Sequence, residues 1–292
     1  MGKALRNIVA PLLVILVGVG ILMYPSVSNY LIEVNGSRAV SDYDAAVQAM
    51  PKERYDQLIA DARAYNERLA AEAGGVDLVQ GEAGAGLTDA YNALLNVNGD
   101  GMMGYLTIPR LSETMPVYHG VEEPVLQKGA GHLPDTSLPV GGPSTHAVLS
   151  GHRGLPSAKL FTDLDKMQQG DVFYLKVLDQ TTAYRVSSIE TVLPTETRSL
   201  SIEPGADKVT LVTCTPYGVN SHRLLVHAVR TDYDPDSGES APIPPSINMP
   251  PWLIGLLVAA GAIVVVVVAR AVARARAEGS SRIVKEGEGN GE

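Results

Sequence analysis

The chain has 292 residues, 45% of them apolar, and a formal net charge of −9. That apolar share is enough to build a sizeable core and excludes a disordered stalk. An acidic balance with no basic patch between the two most apolar stretches argues against nucleic acid as a partner.

From the N-terminus, Ile8 to Met23 carries no charge and follows Lys3 and Arg6, whereas Trp252 to Ala269 carries none and precedes Arg270, Arg274 and Arg276. A helix crosses a bilayer with roughly 20 apolar residues, and both stretches approach that with their neighbours. Basic residues at the far end of each place both termini in the cytoplasm and residues from about 28 to 250 outside. Residues 1–28 read as an uncleaved anchor, with a signal peptide cut near Ser26-Val27-Ser28 as the alternative. Residues 233–250 read as a linker, 251–270 as a stop-transfer helix and 271–292 as a cytoplasmic tail rich in glycine and glutamate.

Between the spans, residues 29–92 form a helical segment. Tyr55, Leu58, Ile59, Ala62, Tyr65 and Leu69 recur at helical spacing and make one apolar stripe. Pro51 predicts a break at Met50, and Gly74-Gly75 predicts the end of the second helix. Residues 76–88, rich in glycine and alanine, read as an ordinary linker or a flap. From about residue 93 to 232 the pattern changes to short β-type runs. Strands are expected at Tyr105–Ile108, Met115–Tyr118, His146–Ser150, Val172–Leu178, Ala183–Val192, Lys208–Thr213 and Arg223–Val229, with a short helix around Ala158–Leu164. Strands at this spacing predict a mainly β domain, a closed barrel or a sandwich. Asn96-Val97-Asn98-Gly99-Asp100-Gly101 resembles the start of a calcium loop, but Thr107 stands where a bidentate glutamate belongs, so a turn and no metal are expected.

The single cysteine, Cys214, closes the run Val209-Thr210-Leu211-Val212-Thr213. A lone exported cysteine forms no internal disulfide, so it is either inert packing or a free reactive thiol. With a reference pKa of about 8.5, a thiol needs a base or a cation nearby to act as a nucleophile at neutral pH. Six histidines are available. His152 lies in the turn Gly151-His152-Arg153-Gly154 at a strand end, where catalytic groups are often presented; His146 and His227 fall inside strands and read as structural. Arg223 opens the next run and is either a ligand for a substrate carbonyl and its oxyanion or a solvated edge residue.

These residues carry a resemblance. Leu211-Val212-Thr213-Cys214 with Arg223, and Thr145-His146-Ala147-Val148-Leu149-Ser150-Gly151-His152-Arg153-Gly154 upstream, resemble the catalytic signature of sortases. Gly131-His132-Leu133-Pro134, Leu155-Pro156-Ser157-Ala158-Lys159-Leu160-Phe161 and Thr215-Pro216-Tyr217-Gly218-Val219-Asn220 extend the likeness toward the pilus-associated class C. The resemblance implies an eight-stranded sortase-type β-barrel with N-terminal helices between two flanking transmembrane helices. It implies a cofactor-free transpeptidase that cuts a Leu-Pro-x-Thr-Gly signal after threonine, with Cys214, His152 and Arg223 catalytic and Thr213 and Leu211 touching substrate. The implied partners are pilins or surface proteins bearing that signal and an amine from a pilin lysine or a peptidoglycan precursor. A hydrolytic peptidase and an idle binding scaffold are the alternatives. The Asp-Pro-aromatic lid motif of class C has no match; Asp77-Leu78-Val79 keeps only the acid, so Asp77 is the expected partner of Arg223 if residues 76–88 form a lid. Leu133-Pro134-Asp135-Thr136-Ser137 imitates a sorting signal but lacks its glycine, so no self-sorting is expected.

Overall fold

The computed structural model describes residues 3–72, 88–233 and, nearer the C-terminus, 251–256, 258–263, 265–266 and 269–270. The proposed lid, Asp77 included, lies outside the described residues except for Thr88. The chain divides into two compact units, Met1–Ser246 and Ile247–Glu292.

Helix α1 runs from Lys3 to Gln48, so the apolar N-terminal stretch and the first helix after it are one continuous element. Its portion from Val17 is long and apolar enough to cross a membrane. In the second unit the described residues include an apolar helical stretch over Pro251–Ile263. The break predicted at Met50 is present. Met50 N–H bonds back to the Val47 carbonyl, and the Pro51 carbonyl accepts from Arg54 and Tyr55 to open α2, Lys52–Glu72. The apolar stripe of α2 buries Ile59, Ala62 and Tyr65. It also buries Asn66, whose amide donates to the Leu138 carbonyl at 3.0 Å and accepts from the Leu138 N–H at 2.7 Å. Helix α1 is tied down by Tyr43, whose hydroxyl donates to the Met103 carbonyl (2.7 Å) and accepts from the Leu178 N–H (2.8 Å). A short helix, α3 (Asp89–Ala93), capped by Thr88, leads into the sheet.

Eight strands close a barrel: β1 Met102–Ile108, β2 Glu113–His119, β3 Ala130–His132, β4 Thr145–Ser150, β5 Val172–Val177, β6 Gln180–Val192, β7 Asp207–Thr215 and β8 His222–Thr231. Around the barrel the order is β1-β2-β3-β4-β7-β8-β6-β5. The β2/β3 and β4/β7 pairs are parallel, the others antiparallel. Leu106, Phe161, Leu175, Leu211 and Val226 fill the interior, where Phe173 stacks on Tyr184 at 5.9 Å.

The barrel, not the sandwich, is what forms, and all seven expected strands are present. β3 was not expected: three residues show no periodicity. Its central Gly131 lies so close to the Gly120 carbonyl that a Cβ there would stand 2.2 Å from the oxygen, which explains a glycine inside a strand. The helix expected around Ala158–Leu164 is instead a run of turns, with Leu160 at φ +38°, followed by one 3₁₀ turn at Leu164–Lys166. In the calcium-like stretch, Asn96 Oδ1 accepts from the Gly101 N–H and Asp100 Oδ1 from the Met102 N–H, so its oxygens cap a turn. In the sorting-signal imitation Leu133, Thr136 and Ser137 are buried.

Candidate active site

Register brings two of the expected residues together and leads to the third. β7 and β8 pair with Cys214 opposite Arg223, and side chains directly opposite each other share a face of the sheet. β4 and β7 pair with Leu149 opposite Leu211 and Ser150 opposite Val212. The Gly151 N–H bonds to the Val212 carbonyl at 3.0 Å, and there the ladder ends: the Gly151 carbonyl accepts from the Thr213 hydroxyl and the His152 carbonyl from the Phe161 N–H. His152 lies in the turn just past the end of β4, and that turn is tied to the last residues of β7. Val148, Val212 and Leu225 of these strands share one apolar cluster with Leu126 and Leu200.

Cys214 is 8% exposed. Burial pushes its thiol above the ordinary value, and the Arg223 guanidinium pulls it partway back. Arg223 is itself buried. Its Nη1 donates to the carbonyls of Asn220 (3.3 Å) and His222 (3.2 Å), while its buried Nε has no partner among the described residues. A buried guanidinium N–H left unsatisfied beside a thiol is a donor poised for a carbonyl oxygen of a bound ligand. The His152 side chain is 18% exposed, with Nε2 3.0 Å from Glu123 Oε2.

Thr213 and Leu211 are placed differently from expectation. Strand alternation turns both to the barrel interior, where neither has exposed surface. Leu211 packs in the core, and the Thr213 hydroxyl donates to the Gly151 carbonyl at 2.7 Å. Thr213 thereby holds the turn that carries His152, and in this structure both side chains face the core. His146 and His227 form a separate network: the Thr210 hydroxyl lies 2.7 Å from His146 Nε2 and 2.8 Å from His227 Nδ1, and His227 Nε2 lies 3.1 Å from Glu190.

Two residues at the site escaped the sequence reading. Arg153 donates to Thr215 Oγ1 at 2.9 Å and pairs with Asp165, joining the turn after β4 to the end of β7. Its position beside His152 was the available signal. Glu123 opens the short helix α4 (Glu123–Leu126), 29 residues before His152, and nothing in the sequence links the two.

The arrangement offers a thiol, a cation paired with it across the sheet and an imidazole in the adjoining turn, the group types that nucleophilic acyl transfer uses. The Sortase domain family matches residues 106–231. The chain is 30% identical over 130 residues to sortase A of Streptococcus agalactiae serotype III (strain NEM316), covering 44% of this chain and 52% of that one, so the match spans about half the length of this curated relative. It is 26% identical over 224 residues to sortase A of Bacillus anthracis, covering 77% and 93%. Among solved structures, sortase C1 from Streptococcus agalactiae is 44% identical with a TM-score of 0.61, covering 68% of this chain and 100% of that one. Sortase C of Streptococcus pneumoniae is 41% identical with a TM-score of 0.61, covering 70% and 100%.

Proposed function

The chain belongs to the sortase family, and from that premise we propose that it is a membrane-anchored cysteine transpeptidase acting on a Leu-Pro-x-Thr-Gly-type signal. The observation that supports this reading is the pairing of Cys214 with Arg223 across β7 and β8, with His152 in the turn that follows β4. In the first half-reaction the Cys214 sulfur attacks the threonine carbonyl carbon. The carbon–nitrogen bond to glycine breaks, and the proton lost by the thiol reaches the departing amine through His152. Arg223 holds the carbonyl oxygen as negative charge develops on it, supplying the donor that its buried Nε leaves unused. A thioester remains. In the second half-reaction an incoming amine attacks that thioester, His152 takes the proton the amine loses, and the sulfur regains one as it leaves.

The pneumococcal sortase C is described in terms of pilin substrate specificity, which favours a pilin lysine as the acceptor here over a cell-wall precursor. Helix α1 serves as anchor and strut, placing the catalytic unit outside the membrane. The side chain of Asn29 accepts from the Lys159 N–H at 2.7 Å, so α1 meets the barrel only six residues beyond the apolar stretch that ends at Met23.

The test is to incubate the full chain in detergent with a Leu-Pro-Glu-Thr-Gly peptide, with and without a lysine-bearing acceptor peptide, and to weigh protein and products. A thioester-mass adduct on wild type, absent in Cys214→Ala and in Arg223→Ala, that resolves onto the acceptor is the expected result. Release of free acid alone, with acceptor present, would make the protein a hydrolase. Binding of the peptide with no adduct would make it a scaffold.

A further inference from the structure

We propose that Glu123 is a positioning residue for His152, holding a proton on Nε2 and so dedicating Nδ1 to proton exchange with the thiol and the substrate amines. The proposal rests on His152 being the acid–base group. Glu123 Oε2 lies 3.0 Å from His152 Nε2. An ionised carboxylate has only acceptor sites, so the ring nitrogen facing it carries the hydrogen. In the neutral ring Nδ1 is then the nitrogen with a lone pair to receive a proton. When the ring is cationic, the carboxylate balances its charge and Nδ1–H is the proton to give. This is how an acidic partner orders a histidine in other nucleophilic sites.

Glu123 is itself held. Its other oxygen accepts from Gln127 Nε2 at 2.9 Å. The Gln127 bond, and then His152, hold its carboxyl below the usual range, so it is ionised near neutral pH. The two partners also share a foundation. Leu126 of α4 packs in the same apolar cluster as Val148 of β4 and Val212 of β7, the strands whose pairing places His152. Buried packing thus holds the backbone from which the carboxylate reaches the ring, and the Gln127 bond orients the Glu123 side chain itself, which is 59% exposed.

An exposed ion pair with no consequence is the competing outcome, and the experiment is built to separate them. Full-length chain labelled with 15N-histidine is compared in detergent as wild type, Glu123→Ala and Glu123→Gln, with the His152 signals identified by their loss in His152→Asn. The expected wild-type spectrum shows a protonated Nε2 and an unprotonated Nδ1, and Glu123→Ala moves both signals toward a tautomer average. In transfer assays Glu123→Ala lowers kcat about 10-fold, less than the roughly 100-fold or more of acid–base catalysis itself because an unoriented imidazole still carries protons. KM for the sorting peptide stays unchanged. Rising salt brings the wild-type rate toward that of the variant and leaves the variant unaffected. Unchanged tautomer signals, or a lower kcat without salt dependence, would overturn the proposal. Transfer that persists in His152→Ala would instead remove the acid–base reading on which it stands. Equal melting temperatures of wild type and Glu123→Ala are expected, and a large drop would assign Glu123 a structural role and overturn the proposal.

Discussion

Cys214 stands between two opposed influences. Burial favours its neutral thiol and the Arg223 guanidinium favours the thiolate, with burial the stronger. Removing the cation leaves burial alone, so in Arg223→Met the thiol ionises at higher pH than in wild type. Alkylation by iodoacetamide, followed by mass as a function of pH, is expected to have its midpoint above the ordinary thiol value in wild type and higher again in the variant. The identity of this residue was legible because the chain has one cysteine and it closes a strand-like run. The inward orientation of Leu211 and Thr213 was legible too, since alternation from an outward Cys214 turns residue 213 inward and residue 211 with it. The likeness to the sortase signature drew attention to the motif as a whole and away from that parity. Glu123 was not legible, because a single acidic residue on a four-residue helix has no periodicity or spacing that ties it to a histidine.

At the scale of elements, the turn after β4 is built around absent side chains. A Cβ at Gly151 would stand 2.5 Å from the ring of Phe161, which is fully buried in the barrel core. The Phe161 N–H also donates to the His152 carbonyl at 3.2 Å, so displacing the ring pulls on the residue proposed to carry protons. Gly151→Ala is expected to destabilise the protein by about 1–3 kcal/mol through overpacking and to lower the transfer rate as well, read by thermal melting and steady-state kinetics. A loss of stability with full activity would show that the turn tolerates the shift. The helix expected around Ala158–Leu164 is interrupted at Leu160, whose φ of +38° lies outside the helical region; Ala158, Phe161 and Leu164 still pack in the core, as helical spacing suggested.

Across the whole molecule, buried imidazoles couple stability to acidity. His132 and His146 are held down to about 4 by burial, from an ordinary value of 6.5. Below 6.5 the unfolded chain binds protons that the folded barrel refuses, so stability falls as pH drops from about 6.5 toward 4 and is fully present above that window. Each histidine contributes a loss of roughly a few kcal/mol. The melting temperature is expected to decline across this range, and His132→Asn is expected to show a shallower decline whatever its stability at pH 7. An identical slope would place the acid sensitivity elsewhere.

By itself the sequence determined what depends on neighbours along the chain. Alternation marked seven strands, three- and four-residue spacing marked the stripe on α2, Pro51 marked the helix break, and the lone cysteine marked the candidate nucleophile. Only the tertiary structure decided what depends on contacts between distant segments. It closed the barrel by pairing β1 with β5, made a strand of three residues because Gly131 admits a neighbouring backbone, and set Glu123 against His152. The division has a physical cause. Local periodicity is imposed by which face of an element must be buried, whereas the partner across a barrel or a site is chosen by packing and hydrogen bonding in three dimensions.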